Sequence, residues 1–267
     1  MKKQAAYGNE SISSLKGADR VRKRPAVIFG SDGIEGCEHS IFEILSNSID
    51  EAREGYGSRI IVTRYEDQSV EVEDFGRGIP VDYNTKEQRF NWELLFCELY
   101  AGGKYNNDAD ESYEYSLGLN GLGLCSTQYA SEYMDVDIRR DGVQYLLHFE
   151  KGENVGGLKK ESYTKKDTGT RIRWKPDLEV FTDIHVPVEY FLDIIKRQAI
   201  VNDGVTFVFR NQVGNQFETT EFCYQNGIVD HVKEIAGEDA LTSVQFWQTE
   251  RKVRDRDDKD EYRTKIN

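Results

Sequence analysis

The chain has 267 residues, with 48 acidic side chains against 35 basic ones and a net charge of -13. That length suffices for one large domain, or for a domain with a smaller appendage, and supplies ample material for a core. The negative balance leaves no large positive field for nucleic-acid phosphates, so any action on DNA needs another region or a partner to hold it.

The first 14 residues are small and polar, the pattern of a frayed terminus, with Tyr7 among them. Val21-Arg22-Lys23-Arg24-Pro25 carries basic residues to a proline, and Gly30, Gly33 and Gly36 predict a loop ahead of the first long helix. That helix is expected from His39 to Arg53: Ile41, Ile44, Leu45, Ser48, Ile49 and Ala52 keep helical spacing, leaving Glu43, Asn47, Asp50 and Glu51 on another side. Arg59 to Tyr65 and Ser69 to Glu73 read as a hairpin about Glu66-Asp67-Gln68. A helix is expected from Asn91 to Tyr100, and a polar, acidic surface loop from Lys104 to Ser116. Gly118-Leu119-Asn120-Gly121-Leu122-Gly123 then leads into a helix through Ala130.

Further on, Tyr133 to Arg139, Val143 to Phe149, Thr170 to Trp174 and Val205 to Arg210 read as strands, with a helix from Val188 to Gln198 after Pro187. A strand from Phe217 to Tyr224 and a helix from Ile228 to Ile235 begin what the pattern reads as a second unit. The fold class expected is α+β, a two-layer sandwich in which helices cover one face of a mixed sheet.

Three features carry chemistry. Glu43 and Asn47 lie four residues apart on one helix face; they fit either a solvated surface or a base beside a hard-oxygen ligand for Mg²⁺. In Ser69-Val70-Glu71-Val72-Glu73-Asp74, alternation puts Asp74 on the core face with Val70 and Val72. A carboxylate there needs a partner, and Gly76 and Gly78 let a backbone turn approach a flat group, for which an adenine amino group is suited. The alternative for that motif is a plain glycine turn. The glycine run before Leu124 fits many loops, but its place ahead of a helix suits phosphate.

Other chemistries are excluded by absence from the sequence. No G-x-x-x-x-G-K-[ST] and no G-x-S-x-G occurs. His39, His148, His185 and His231 show no ligand spacing and read as structural or exposed. Cys37, Cys97, Cys125 and Cys223 form no close pair, which fits neither a zinc knuckle nor a disulfide framework and suggests a reducing compartment. No apolar run approaches the roughly 20 residues of a membrane span, and the start lacks a secretory signal, so the cytoplasm is the expected location and no membrane partner is expected.

In order, Glu43-x-x-x-Asn47, Asp74-x-Gly76-x-Gly78, Gly118-x-x-Gly121-x-Gly123 and Thr168-Gly169-Thr170 resemble the GHKL ATPase superfamily. More narrowly, Arg22-Lys23-Arg24-Pro25, Ser48-Ile49-Asp50-Glu51-Ala52, Gly76-Arg77-Gly78-Ile79-Pro80 and Ala101-Gly102-Gly103-Lys104-Tyr105 resemble the ATPase subunit of bacterial type II topoisomerases, gyrase B and its topoisomerase IV counterpart. The likeness runs from Tyr7 to Asn211 and continues more weakly through Phe222 to Ile228.

The resemblance implies a GHKL ATP-binding fold over residues 1–215, with an N-terminal arm, and the beginning of a transducer domain over 216–267. It implies ATP and Mg²⁺ as ligands, with Glu43 as general base and Asn47 on the metal. Asp74 would accept from the adenine amino group, with Thr170 beside it; Gly78 and Ile79 would lie along the base, and Tyr113 would contact its side. Glu51 and Arg77 would pair at the pocket mouth, and Arg140 would border the family's aminocoumarin site. Lys104 and the amides of Gly118, Leu119, Asn120, Gly121, Leu122 and Gly123 would hold phosphates. Tyr7 would reach the nucleotide of a second copy.

As implied partners, the resemblance gives a second copy on ATP binding, a DNA-cleaving subunit of the gyrase A or topoisomerase IV A type, and DNA through the full complex. Ser46, Leu117, Asn120 and Ala26-Val27-Ile28-Phe29 depart from the family pattern without removing a catalytic group. Alternatives kept open are a MutL-type or chaperone ATPase and a nucleotide-binding module without catalysis.

Overall fold

The computed structural model describes residues 14–101, 117, 121–247, 249–254 and 262–266. In chain order the elements are helices α1 (Asp19–Arg22), α2 (Pro25–Phe29) and α3 (Ile34–Arg53), then strands β1 (Arg59–Arg64), β2 (Val70–Asp74), β3 (Tyr83–Asn84) and β4 (Arg89–Phe90). Helices α4 (Asn91–Cys97) and α5 (Gly123–Tyr129) precede strands β5 (Ser131–Arg140), β6 (Val143–Glu150), β7 (Glu153–Asn154), β8 (Lys159–Ser162) and β9 (Gly169–Pro176). Helix α6 (Val188–Val201), strands β10 (Thr206–Val213) and β11 (Gln216–Phe222), helix α7 (Ile228–Ala236) and strands β12 (Thr249–Val253) and β13 (Tyr262–Ile266) complete the described chain.

Nine strands form one sheet in the order β11-β10-β1-β2-β9-β5-β6-β7, with β8 also pairing β6. The β1–β10 pairing is parallel and its neighbours are antiparallel, so the sheet is mixed. Strand β11, just past residue 215, is an edge strand of this same sheet. No described helix is long and apolar enough to cross a membrane.

Strand alternation sorts the two faces. Val70, Val72, Met134, Val136, Ile138, Leu147, Phe149, Ile172, Trp174, Phe207 and Phe209 are all buried, as are Ile41, Ile44, Leu45 and Ile49 of α3 and Phe191, Ile195 and Ala199 of α6. Helix α3 packs on β1, β2 and β9, and α6 packs on β10 and β11. Phe191 stacks on Phe209 with ring centres 5.2 Å apart. Each such large side chain contributes about 1.5–3 kcal/mol on burial, which is what holds α3 in a fixed place over the sheet.

The other sheet face is charged and satisfies itself across strands. Register pairs Glu73 with Arg171 and Arg171 with Asp137, and in the next row Glu71 with Arg173, Arg173 with Asp135 and Asp135 with His148. Opposite charges at directly opposed positions stabilise a solvated sheet face.

Two sequence expectations are corrected here. Helix α3 begins at Ile34, five residues before His39, and Gly36 lies inside it. An ideal Cβ at Gly36 would strike the Ser31 carbonyl and the Phe181 ring, so that glycine serves close packing and not a loop. Helix α4 stops at Cys97, three residues before Tyr100, where Glu98 turns extended; Tyr100 takes a left-handed φ of 66° and donates its amide to the Gly121 carbonyl at 3.0 Å, which ties the segment after the helix to the glycine run.

Candidate functional site

Helix α3 is the platform. Glu43, Asn47 and Glu51 recur every four residues and share one side of it. The Asn47 amide nitrogen donates to the Glu43 carbonyl at 2.8 Å, and the Ser46 hydroxyl donates to the same carbonyl at 2.9 Å. These back-bonds fix the Asn47 amide and leave its Oδ1 as the atom to face a cation. Glu43 Oε1 lies 3.1 Å from His39 Nε2 one turn earlier. The other Glu43 oxygen packs against Gly123, where an ideal Cβ would fall upon it. The first residue of α5 therefore closes directly on the Glu43 carboxylate.

Asp74, at the end of β2, is 5% exposed. Its Oδ1 accepts from the Gly76 amide at 3.0 Å and the Thr170 amide at 3.1 Å, and its Oδ2 accepts from the Ser48 hydroxyl at 3.0 Å. Burial pushes the Asp74 carboxyl above the ordinary carboxylate range, while the Gly76 amide, the Ser48 hydroxyl and the Thr170 amide pull against that, and Glu51 adds repulsion. The partner that a core-facing carboxylate requires is thus supplied from within the chain. Three of roughly four acceptor positions are taken, and one on Oδ2 remains.

The turn after β2 is held just as closely. The Arg77 guanidinium grips Glu51 through Nε–Oε2 at 3.1 Å and Nη2–Oε1 at 2.7 Å, and the Arg77 amide donates to the same carboxylate at 3.1 Å. Its guanidinium carbon stands 3.8 Å above the centre of the Tyr56 ring. Gly78 has φ +79°, and a Cβ there would strike the Arg139 carbonyl and Ile138 on β5, so packing on β5 already demands glycine. The Ile79 amide donates to Thr170 Oγ1 at 3.2 Å, and Arg140 Nη1 donates to the Gly78 carbonyl at 2.7 Å. These contacts gather Glu43, Asn47, Glu51, Asp74, Arg77, Gly78, Ile79, Arg140, Thr170 and the Gly121-Leu122-Gly123 entry to α5 along the C-terminal half of α3. Tyr7, Lys104, Tyr113, Gly118, Leu119 and Asn120 lie outside the described residues.

Three participants escape sequence reasoning. His39 looks like one of four isolated histidines, although its spacing of four from Glu43 puts both on one face. Ser48 falls into the apolar stripe, although a hydroxyl among isoleucines signals a buried acceptor nearby. Tyr56 carries no signal, because its contact with Arg77 depends on the tertiary turn. Three of the cysteines offer no nucleophile: burial pushes the Cys37 and Cys125 thiols up to about 12 and Cys97 to about 11.

A groove of about 710 Å³ lies on the opposite, charged face of the sheet, lined by Glu71, Glu73, Asp137, Arg171, Arg173 and neighbours. Its charges pair with one another, as in Arg171–Asp137 at 2.7 Å, and it lies on the sheet face away from Asp74.

A family model described as histidine kinase-, DNA gyrase B-, and HSP90-like ATPase matches residues 34–180, a span containing α3, β2, α5 and β9. DNA gyrase B of Thermotoga maritima is 38% identical over 256 residues, covering 96% of this chain and 39% of that protein. The B-type subunit of DNA topoisomerase 4 from Enterococcus faecalis is 35% identical over 243 residues, covering 90% and 35%. The chain thus spans less than two-fifths of the length of these relatives. Among solved structures, the 43K ATPase domain of Thermus thermophilus gyrase B in complex with an aminocoumarin superposes with a TM-score of 0.71 at 30% identity, over 90% of this chain and 60% of that one. The topoisomerase IV ATP-binding domain of Francisella tularensis in complex with a small-molecule inhibitor gives 0.68 at 31% identity, over 83% and 58%.

Proposed function

The chain belongs to the family of histidine kinase-, DNA gyrase B- and HSP90-like ATPases, and on that premise we propose that it binds and hydrolyses ATP as the ATPase portion of a type II DNA topoisomerase. The observation that carries this reading is the convergence on α3 of Glu43 and Asn47 with the buried, donor-anchored carboxylate of Asp74.

Asp74 accepts from the adenine amino group through its remaining position on Oδ2, with Thr170 beside it, Gly78 and Ile79 along the base, and Arg140 at the pocket rim. Glu43 orients the attacking water and takes its proton. Phosphoryl transfer depends mostly on such positioning and on charge neutralisation. The phosphates lie at the Gly121-Leu122-Gly123 entry to α5, with Gly118, Leu119, Asn120 and Lys104 contributing and Tyr113 at the adenine side. Among the described residues no three His, Cys, Asp or Glu side chains gather into a metal cage. A single amide oxygen, Asn47 Oδ1, fits Mg²⁺, which keeps waters and phosphate oxygens in its shell. The ion supplies neutralisation of phosphate charge when bound.

Residues 1–215 form the ATPase unit with its N-terminal arm, and residues 216–267 begin a transducer unit joined through β11. ATP binding pairs two copies, with Tyr7 of each reaching the other's nucleotide, and so closes a gate on DNA in a cytoplasmic complex with a DNA-cleaving subunit.

The test is calorimetric titration with a non-hydrolysable ATP analogue and Mg²⁺, beside Asp74→Asn. Loss of a hydrogen bond to a charged group costs on the order of 1.5–3 kcal/mol, so the variant should bind at least tenfold more weakly. Equal binding by both proteins would detach Asp74 from adenine.

A further inference from the structure

We propose that Ser48 is a positioning residue for base recognition: its hydroxyl orients Asp74 Oδ2 and keeps that oxygen an acceptor for the amino group of a 6-aminopurine. The inference rests on the reading of Asp74 as the adenine acceptor.

Ser48 is 5% exposed and stands in a stripe of Ile41, Ile44, Leu45 and Ile49, all buried, so its hydroxyl has no solvent to turn to. It donates to Asp74 Oδ2 at 3.0 Å. The two backbone amides, from Gly76 and Thr170, both fall on Oδ1. Oδ2 therefore has a single fixed donor and one open position, and Ser48 decides where that open position points. One turn of α3 thus holds Asn47, the candidate metal oxygen, next to the residue that sets the base acceptor.

The same bond holds Asp74 ionised. The charged group acting on it is Glu51 from α3, itself paired with Arg77 of the following turn. Strand β9 presents the Thr170 amide and β1 presents Ile60 at the paired position. Burial and Glu51 favour the neutral acid, and the Ser48 hydroxyl is one of three donors that oppose them. A protonated Oδ2 would donate toward the base and lose its discrimination for an amino group. Removing the hydroxyl raises the pH at which that happens. Affinity for an aminopurine nucleotide then falls at a higher pH as the solution is acidified.

The experiment is titration of the full chain with non-hydrolysable analogues of ATP and of inosine triphosphate, whose base carries a 6-oxo group, from acid to neutral pH. Wild type, Ser48→Ala, Ser48→Cys and Asp74→Asn are compared, with thermal unfolding as a control on folding. Ser48→Ala should weaken the ATP analogue about tenfold at mildly acid pH, move the midpoint of the pH profile upward, and strengthen the inosine analogue over the same pH range, because a protonated Oδ2 donates to the 6-oxo group. Ser48→Cys, close in volume and a weaker donor, should fall between wild type and alanine, and it carries the test if the alanine variant does not fold. Ser48→Ala or Ser48→Cys profiles that coincide with wild type would overturn the proposal and reduce Ser48 to filling space. Should Asp74→Asn bind as wild type does, the adenine reading itself fails, and that outcome is separate from any effect at Ser48.

Discussion

His39 Nε2 and Glu43 Oε1 sit 3.1 Å apart on successive turns of α3. A carboxylate that takes a proton from water must be held in one rotamer, and the imidazole supplies that hold from the solvent side. Glu43→Gln should lower single-turnover hydrolysis by about 10²- to 10⁴-fold, the usual share of general-base catalysis. His39→Ala should lower it about tenfold, as loss of an orienting partner does. Both variants should bind the ATP analogue as wild type does. A His39→Ala protein that loses binding and turnover equally would assign the histidine to the nucleotide and not to Glu43.

Gly123→Ala separates helix propensity from site geometry. At the start of α5, alanine should favour the helix by about 1 kcal/mol over glycine. Yet its Cβ would occupy the position of the Glu43 carboxylate. The carboxylate ends a flexible side chain and can swing away, and the Glu43 Cβ, 3.1 Å from the methyl position, has only to yield by a few tenths of an ångström, so the fold can accept the methyl. The expected result is a melting temperature equal to or above wild type, with hydrolysis down at least 10²-fold. Unfolding together with loss of activity would show that α5 cannot tolerate the change at all.

Asp74→Asn should trade function for stability. The asparagine can keep Oδ1 as acceptor for Gly76 and Thr170 and donate through its nitrogen to the Ser48 oxygen, so no buried group loses a partner. Since the Asp74 pKa is raised on folding, chiefly by burial, the folded state binds the proton more tightly than the unfolded chain. Stability therefore falls as pH rises from the unfolded pKa through the folded one, and the cost of the buried charge is fully present above the folded pKa. The variant should be more stable by on the order of 1 kcal/mol at neutral pH, with the gain fading on acidification. Urea unfolding across pH measures this, and a gain that persists in acid would sink the account.

What the sequence makes legible is periodic. Residues 39–53 keep a helical stripe and residues 59–73 alternate, so α3, β1, β2 and Asp74's inward direction can all be read from one chain. Helices α1 and α2, four and five residues long, complete too few turns for a period to show, and the two-residue strands β3, β4 and β7 exist only through their pairing. Gly36 misleads because a glycine that permits close packing looks the same in sequence as one that permits a turn. His39 and Ser48 are visible as letters, but their roles follow from which oxygen of Glu43 or Asp74 each one reaches, which only the assembled site fixes.

Glu51 and Arg77 join the turn after β2 to helix α3, and the strength of that joint can be measured. The pair is bidentate, with side chains 28% and 37% exposed, and the guanidinium also lies on Tyr56. Partial exposure holds the coupling from a Glu51→Gln, Arg77→Gln double-mutant cycle to about 1 kcal/mol by urea unfolding at low salt. It should shrink as ionic strength rises and the Debye length falls. Arg77→Lys should recover little, because an ammonium cannot match the carboxylate fork or stack on the ring. Tyr56→Leu should cost about 0.5–1 kcal/mol through loss of the ring quadrupole, and it should also loosen Arg77 enough to weaken nucleotide binding without touching the nucleotide. A coupling energy unaffected by salt would mean that backbone contacts, and not the ion pair, fasten this turn to α3.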